Sequence, residues 1–289
     1  VSHFLHTDRP REWIQNTLDR AGDDDIETAL PSPTTLPVGE AATTTTIQTA
    51  FSPTEPMRMW VGGDSLAIVP GQSVLESFPG TSEGAISMVR PDVDGWVSTG
   101  LARPEVLNWP LHLQEQTAAL DPDVVVLTLG SNDDQALTGA PGGATISQGD
   151  AEQWVDEYRR RVGGLMDQII AEGRTLVLVG VPIVRDGGRS AEYNTINTIF
   201  MEEAAKRDDR VIFVDTWELF QDENGNYADY LPNEAGEAVK YRADDGIHLT
   251  GAGGDVVAKQ IYRQLSDQFD LTSWKTTTTT ASTAATGVP

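Results

Sequence analysis

The run Val124-Val125-Val126-Leu127-Thr128-Leu129 limits the fold of this chain more than any other stretch. It is almost unbroken in apolar, mostly β-branched residues. Such a run reads as a strand covered on both faces, which is the habit of parallel sheets. Four more segments read as strands, at 57–62, 84–89, 175–181 and 211–214. Helical patterns fall at about 109–120, 150–172, 190–207 and 251–269. Parallel strands need long crossovers, and right-handed crossovers lay helices on both faces of the sheet. The expected fold class is therefore α/β: a three-layer α/β/α sandwich around a central parallel sheet, flavodoxin-like in topology.

In open α/β sheets, ligands bind outside the C-terminal ends of the strands. Gly63-Asp64-Ser65-Leu66 sits there, after the first strand and before a small-residue segment that can begin a helix or a loop. Alone, a serine in that setting is a turn residue or a helix cap. The central run leads into Gly130-Ser131-Asn132-Asp133, which alone would be a strand-ending turn. Near the C-terminus, Asp245-Gly246-Ile247-His248 precedes Leu249-Thr250-Gly251 and a helical stretch.

A serine hydroxyl needs a base to become a nucleophile, and histidine is the natural one at neutral pH. The chain has four histidines: His3, His6, His112 and His248. The first two lie in a terminal extension, and His112, near a helix start, reads as structural. His248 alone has an aspartate three residues earlier. On one short turn, Asp245 can orient the imidazole while the other ring nitrogen faces a serine. Asp244 is an adjacent rival.

Serine, asparagine, aspartate and histidine in these blocks and this order make residues 56–269 resemble the SGNH, or GDSL, hydrolase family. The resemblance implies the same sandwich fold and ester chemistry through a covalent acyl-enzyme. It assigns Ser65 as nucleophile, His248 as base and Asp245 as its orienting carboxylate. It favours Asp245 over Asp244 because the family carboxylate lies three residues before the histidine. It places the oxyanion hole at Ser65 N–H, the Asn132 amide and Gly100 N–H, the glycine coming from Val97-Ser98-Thr99-Gly100-Leu101-Ala102-Arg103-Pro104. That segment, Asn108-Trp109-Pro110, Asp134-Gln135 and Val181-Pro182 are similar to a branch of the family whose biochemical role is poorly defined. Ala67 stands where a Gly-x-Ser-x-Gly elbow ends in glycine, which argues against an α/β-hydrolase.

The expected activity is hydrolysis of a short-acyl ester, such as O-acetyl on a carbohydrate or cell-envelope polymer, because no apolar lid segment suits a lipid. O-acyl transfer to a glycan acceptor would use the same triad, and a non-catalytic binding domain would keep only the fold. Arg103, Trp109, Gln135, Pro182 and Asn194, at the C-terminal edge of the sheet, are candidate substrate contacts. The glycine-rich loop 138–149 reads as a mobile rim.

The flanks differ in composition. Of 289 residues, 1–28 read as an N-terminal helical extension, 29–55 as a proline- and threonine-rich linker or arm, 56–270 as the hydrolase-like domain and 271–289 as a disordered threonine- and alanine-rich tail. These flanks point to an extracytoplasmic or secreted protein. No signal peptide is visible, and the chain begins with valine, as a processed or truncated one would. A net charge of −24 makes nucleic acid an unsuitable partner. There is no cysteine, so disulfides, thiolate metal sites and a cysteine nucleophile are excluded. No apolar run is long enough to span a membrane. Asp222-Glu223-Asn224-Gly225-Asn226 has the composition of a calcium loop, but its glycine is misplaced, so it reads as a tight turn. Neither cofactor nor metal is expected, and the sequence leaves the oligomeric state open.

Overall fold

A computed structural model describes residues 49–275. The expected N-terminal helix, most of the arm and most of the tail lie outside the described residues. In chain order the elements are β1 (Met57–Gly63), α1 (Ser65–Thr81), β2 (Ile86–Met88), β3 (Asp94–Gly95), α2 (Trp109–Leu120), β4 (Val124–Thr128), β5 (Leu137–Ala140), β6 (Ala144–Ile146), α3 (Ala151–Ile170), β7 (Thr175–Val179), α4 (Gly187–Ala205), β8 (Val211–Val214), β9 (Tyr230–Pro232), β10 (Ala238–Lys240) and α5 (Gly251–Gln268).

The central sheet runs β2-β1-β4-β7-β8, all parallel, with β3 pairing the end of β1. Alternate residues of its strands enter two cores, as period-two geometry requires. Trp60, Val125, Leu127, Leu176 and Leu178 join Leu113 of α2, Tyr158 of α3 and Ile196 of α4. Met59, Val61, Val124, Val126, Val177 and Val179 join Val74 and Phe78 of α1 and Val257 and Ile261 of α5. The strands are therefore covered on both faces, and the fold is the three-layer α/β/α sandwich expected from the sequence.

Strand register brings four chain exits to one edge. Gly63 pairs with Thr128, Thr128 with Val179, and Val179 with Val214. The segments that follow these residues form the rim where a ligand of such a sheet binds.

The expected pattern leaves three regions open or unread. The small-residue segment after Ser65 is helix α1, despite Pro70 and Pro79 inside it. Part of loop 138–149 is the antiparallel β5–β6 hairpin, whose turn uses Gly142 and Gly143 at φ +76°. A second hairpin, β9–β10, precedes α5. At the edges of the packed unit, Phe51 and Leu271 are both buried, and Phe51 meets Phe269 edge-to-face at 5.7 Å.

Candidate active site

β1 ends in a close approach. Asp64 N–H donates to Thr128 O at 2.9 Å, and Gly63 has φ +146°. A Cβ on Gly63 would overlap the Thr128 carbonyl, so only glycine lets the chain leave the sheet here. Asp64 then caps α1, accepting a hydrogen bond from Leu66 N–H at 2.8 Å. Ser65 is thus the first residue of a helix. Its N–H is among the donors that an α-helix leaves unpaired, at the positive end of the helix dipole.

The same carboxylate reaches the neighbouring strand end. Asp64 Oδ2 accepts from Ser131 N–H at 3.1 Å and Ser131 Oγ–H at 2.9 Å. Asp64 is fully buried, and burial pushes its pKa up to about 7 against the pull of these hydrogen bonds. Asn132 Nδ2 donates to Thr99 O at 2.9 Å and Ser131 Oγ at 3.1 Å, which ties it to the loop containing Gly100.

Asp133, also fully buried, fixes the rest of that loop. It accepts from Ala102 N–H at 2.7 Å, Leu101 N–H at 3.1 Å and Tyr158 O–H at 2.7 Å. Burial raises its pKa as well. Arg161 holds the outer side of the loop, donating to Leu101 O at 2.7 Å and Thr138 O at 2.6 Å. A Cβ on Gly100 would overlap the Asp133 carboxylate, so this position also requires glycine.

The third part comes from the turn before α5. His248 Nε2 lies 2.9 Å from Ser65 Oγ, and its Nδ1 lies 2.7 Å from Asp245 Oδ2. Asp245 Oδ1 accepts from Ile247 N–H at 2.8 Å and His248 N–H at 2.9 Å. Partial burial raises the Asp245 pKa, but hydrogen bonds from His248 and the main chain outweigh it and hold the carboxyl at about 2. Its rival Asp244 faces solvent and pairs with Lys240. Ser65, His248 and Asp245 therefore form one hydrogen-bonded chain, and the Gly100 and Asn132 loops are tied to the Ser65 end through Asp64, Ser131 and Thr99. Such a chain can transfer a proton from a hydroxyl to an imidazole held in one tautomer by a carboxylate.

The candidate substrate contacts fare unevenly. Arg103 is half-exposed and pairs with Glu105 at 3.1 Å. Gln135 turns back to donate to Asn132 O, and its own carbonyl accepts from Trp154 Nε1–H at 2.7 Å. Asn194 faces solvent on α4, and Pro182 is buried. Trp109 requires a correction. It is 0% exposed, and its indole N–H donates to Thr99 Oγ1 at 3.2 Å, so it supports the Gly100 loop from below and has no surface to offer a substrate. His112 is structural, with Nε2 3.0 Å from Asp94 Oδ2.

Several organising residues escaped the sequence reading. Asp64 and Asp133 could have been suspected as charges at the ends of apolar strands. Asn197 brackets Val181, accepting from its N–H at 2.8 Å and donating to its carbonyl at 2.7 Å. Buried Arg242 carries no sequence signal. The 222–226 segment is a turn in which Asp222 Oδ1 accepts from Asn224 N–H at 2.9 Å and Asn226 N–H at 2.8 Å. Among the described residues no cluster of acidic and histidine side chains is arranged to hold a metal ion, and no helix is long and apolar enough to cross a membrane.

No curated protein matches the chain. Among solved structures, a lipase/acylhydrolase from Enterococcus faecalis is similar, with a TM-score of 0.52 and 16% identity over 75% of this chain and 98% of that one. A catalytic mutant of Axe2, an acetylxylan esterase from Geobacillus stearothermophilus, is similar with a TM-score of 0.50 and 15% identity over 74% of this chain and 95% of that one. At these identities the likeness speaks for the fold. The family described as "Protein of unknown function (DUF459)" matches residues 58–264. The chain belongs to this DUF459 family, on the sandwich fold of the SGNH, or GDSL, hydrolases.

Proposed function

We propose that the protein is a serine esterase that removes a short acyl group, such as O-acetyl on a carbohydrate or cell-envelope polymer, through a covalent acyl-enzyme. The observation that carries this reading is the unbroken hydrogen-bond chain from Ser65 Oγ through His248 to Asp245. Ser65 Oγ attacks the acyl carbonyl carbon while its proton passes to His248 Nε2. Asp245 accepts from Nδ1–H and stabilises the imidazolium. The carbonyl oxygen becomes an oxyanion facing Ser65 N–H, Gly100 N–H and the Asn132 amide. In the resting site both amide hydrogens of Asn132 have partners, so the oxyanion takes one over, the longer bond to Ser131 Oγ being the weaker. His248 returns the proton to the departing alcohol oxygen. A water, deprotonated by the same nitrogen, then attacks the acyl-serine, and His248 passes that proton to Ser65 Oγ as the acyl–oxygen bond breaks and the acid leaves.

The acyl preference rests on the chain's own composition, and it is supported by the fold shared with an acetylxylan esterase. The test is hydrolysis of p-nitrophenyl esters of increasing acyl length by the native protein and by Ser65→Ala. Turnover that falls with acyl length and vanishes in Ser65→Ala is expected. Equal turnover by the two proteins would remove Ser65 from the mechanism, and a preference for long chains would move the substrate to lipids.

A further inference from the structure

Arg242 is the most unusual charge in the molecule. Its side chain is fully buried, and among the described residues no carboxylate oxygen lies at ion-pair distance from it, the charges of Asp245 and Asp229 acting on it from farther off. Burial lowers its pKa to about 10, which leaves it a cation at neutral pH. A buried charge without a direct ion pair is costly, and an apolar side chain of similar shape would fill the space at lower cost. What an apolar side chain cannot do is bind two carbonyls with one planar fork.

Arg242 does that. One terminal nitrogen donates to Ile183 O and the other to Ile247 O, each at 2.7 Å. Ile183 follows β7 at the rim of the sheet, and Ile247 directly precedes His248. Arg185 grips the same turn from the solvent side. Its N–H donates to Gly246 O at 3.0 Å, and its guanidinium donates to Asp244 O at 2.9 Å and Asp229 Oδ1 at 2.8 Å. The carbonyls of residues 244, 246 and 247 are thus all held by two arginines. The Tyr227 ring lies against both guanidiniums, 5.1 Å from Arg242 and 5.5 Å from Arg185, and its hydroxyl donates to Asp229 at 2.7 Å. Phe220 covers Arg242 at 5.6 Å.

We propose that Arg242 is a positioning residue for the reaction: by binding the carbonyls of Ile183 and Ile247 together, it fixes the Asp245–His248 turn to the rim of the sheet and sets the reach of His248 to Ser65. The inference rests on the esterase reading above. Arg242 touches no reacting atom, so its effect falls on the chemical step and leaves substrate binding alone.

The test compares Arg242→Met and Arg242→Lys with the native protein. Two quantities are read: the rate at which a fluorophosphonate labels Ser65, and kcat and KM on p-nitrophenyl acetate per labelled site. Counting labelled sites removes any unfolded fraction. Arg242→Met should lower both the labelling rate and kcat about 10²-fold with KM within about twofold, because a small misplacement of a catalytic group costs about that much. Lysine keeps the charge but offers a single nitrogen in place of the fork, so Arg242→Lys should recover about tenfold of the loss. If the methionine variant does not fold, the lysine variant alone decides, a reduced kcat at unchanged KM being the supporting result. Native kcat in either variant, a loss carried by KM, or a lysine variant no better than methionine would overturn the positioning role. Failure of the parent reading looks different: native protein and Ser65→Ala would then behave alike, whatever stands at position 242.

Discussion

The two halves of the candidate site are built by opposite means. Ser65 and Asn132 follow the ends of buried strands, Gly100 lies in the loop after β3, and two fully buried aspartates, Asp64 and Asp133, gather the local main-chain donors around them. His248 and Asp245 sit on a partly exposed turn, and buried or half-buried arginines gather its main-chain acceptors. One half is a pair of buried carboxyl groups collecting N–H groups; the other is a cation collecting C=O groups. The strand-end half inherits its geometry from sheet register and close packing. The turn half lies in irregular chain, held by a few main-chain bonds, Ala243 N–H to His248 O at 2.9 Å among them, and by the side-chain bonds of the arginines.

This contrast can be broken in stages. Removing either end of the proton path has the largest effect. Ser65→Ala and His248→Ala should each lower kcat about 10⁴-fold or more without lowering the melting temperature. Steady-state kinetics beside thermal unfolding would check this, and residual activity near the native level would end the proposed mechanism. Next come the oxyanion donors. Asn132→Ala should lower kcat about 10²–10³-fold. Gly100→Ala should do similar damage while also destabilising the fold, since its methyl must displace the Asp133 carboxylate. If Gly100→Ala were silent in both activity and stability, the strand-end half would be less rigid than its packing implies.

Asp64→Asn addresses the carboxyl itself. The amide brings two N–H donors where the protonated carboxyl brings one O–H, so one of them faces a main-chain N–H, donor against donor, costing about 1–3 kcal/mol in denaturant titrations near pH 4. The pH dependence sharpens the case. With a folded pKa of about 7 against 3.8 unfolded, native Asp64 keeps its proton over a range where the unfolded chain has lost it. Native stability should therefore fall, relative to Asp64→Asn, as pH rises from about 4 to 7. A gap that stays constant over that range would show that Asp64 ionises freely in the fold. Asp245 has the opposite sign and the smaller effect. Its folded pKa of about 2 lies below the unfolded value, so its contribution is present above about pH 4 and is lost as pH falls through 2. Acid titrations of native protein and Asp245→Asn should converge at the low end of that window.

The same division explains what the sequence could reveal. The runs at 124–129 and 175–181 announce a two-sided sheet because burial acts on each residue of a strand. Ser65, Asn132 and His248 were legible through the order of their blocks. Trp109 misled because its place beside the Gly100 segment suggested the rim, whereas tertiary packing puts it under the loop. Arg242 could not be found at all. Its partners are main-chain carbonyls 59 and 5 residues away, and carbonyls have no sequence signature. The short hairpins β5–β6 and β9–β10 escaped for a related reason, since strands of three or four residues carry too little alternation to read.

Ser65 and His248 meet across 183 residues of sequence, and α5, which follows His248, packs on α1, which begins at Ser65. The serine therefore leaves the ribosome long before the histidine. While those 183 residues are made, the Ser65 hydroxyl has no His248 imidazole beside it. The pair can form only when the turn before α5 reaches Ser65, so docking of α5 is also the step that joins the hydroxyl to its imidazole.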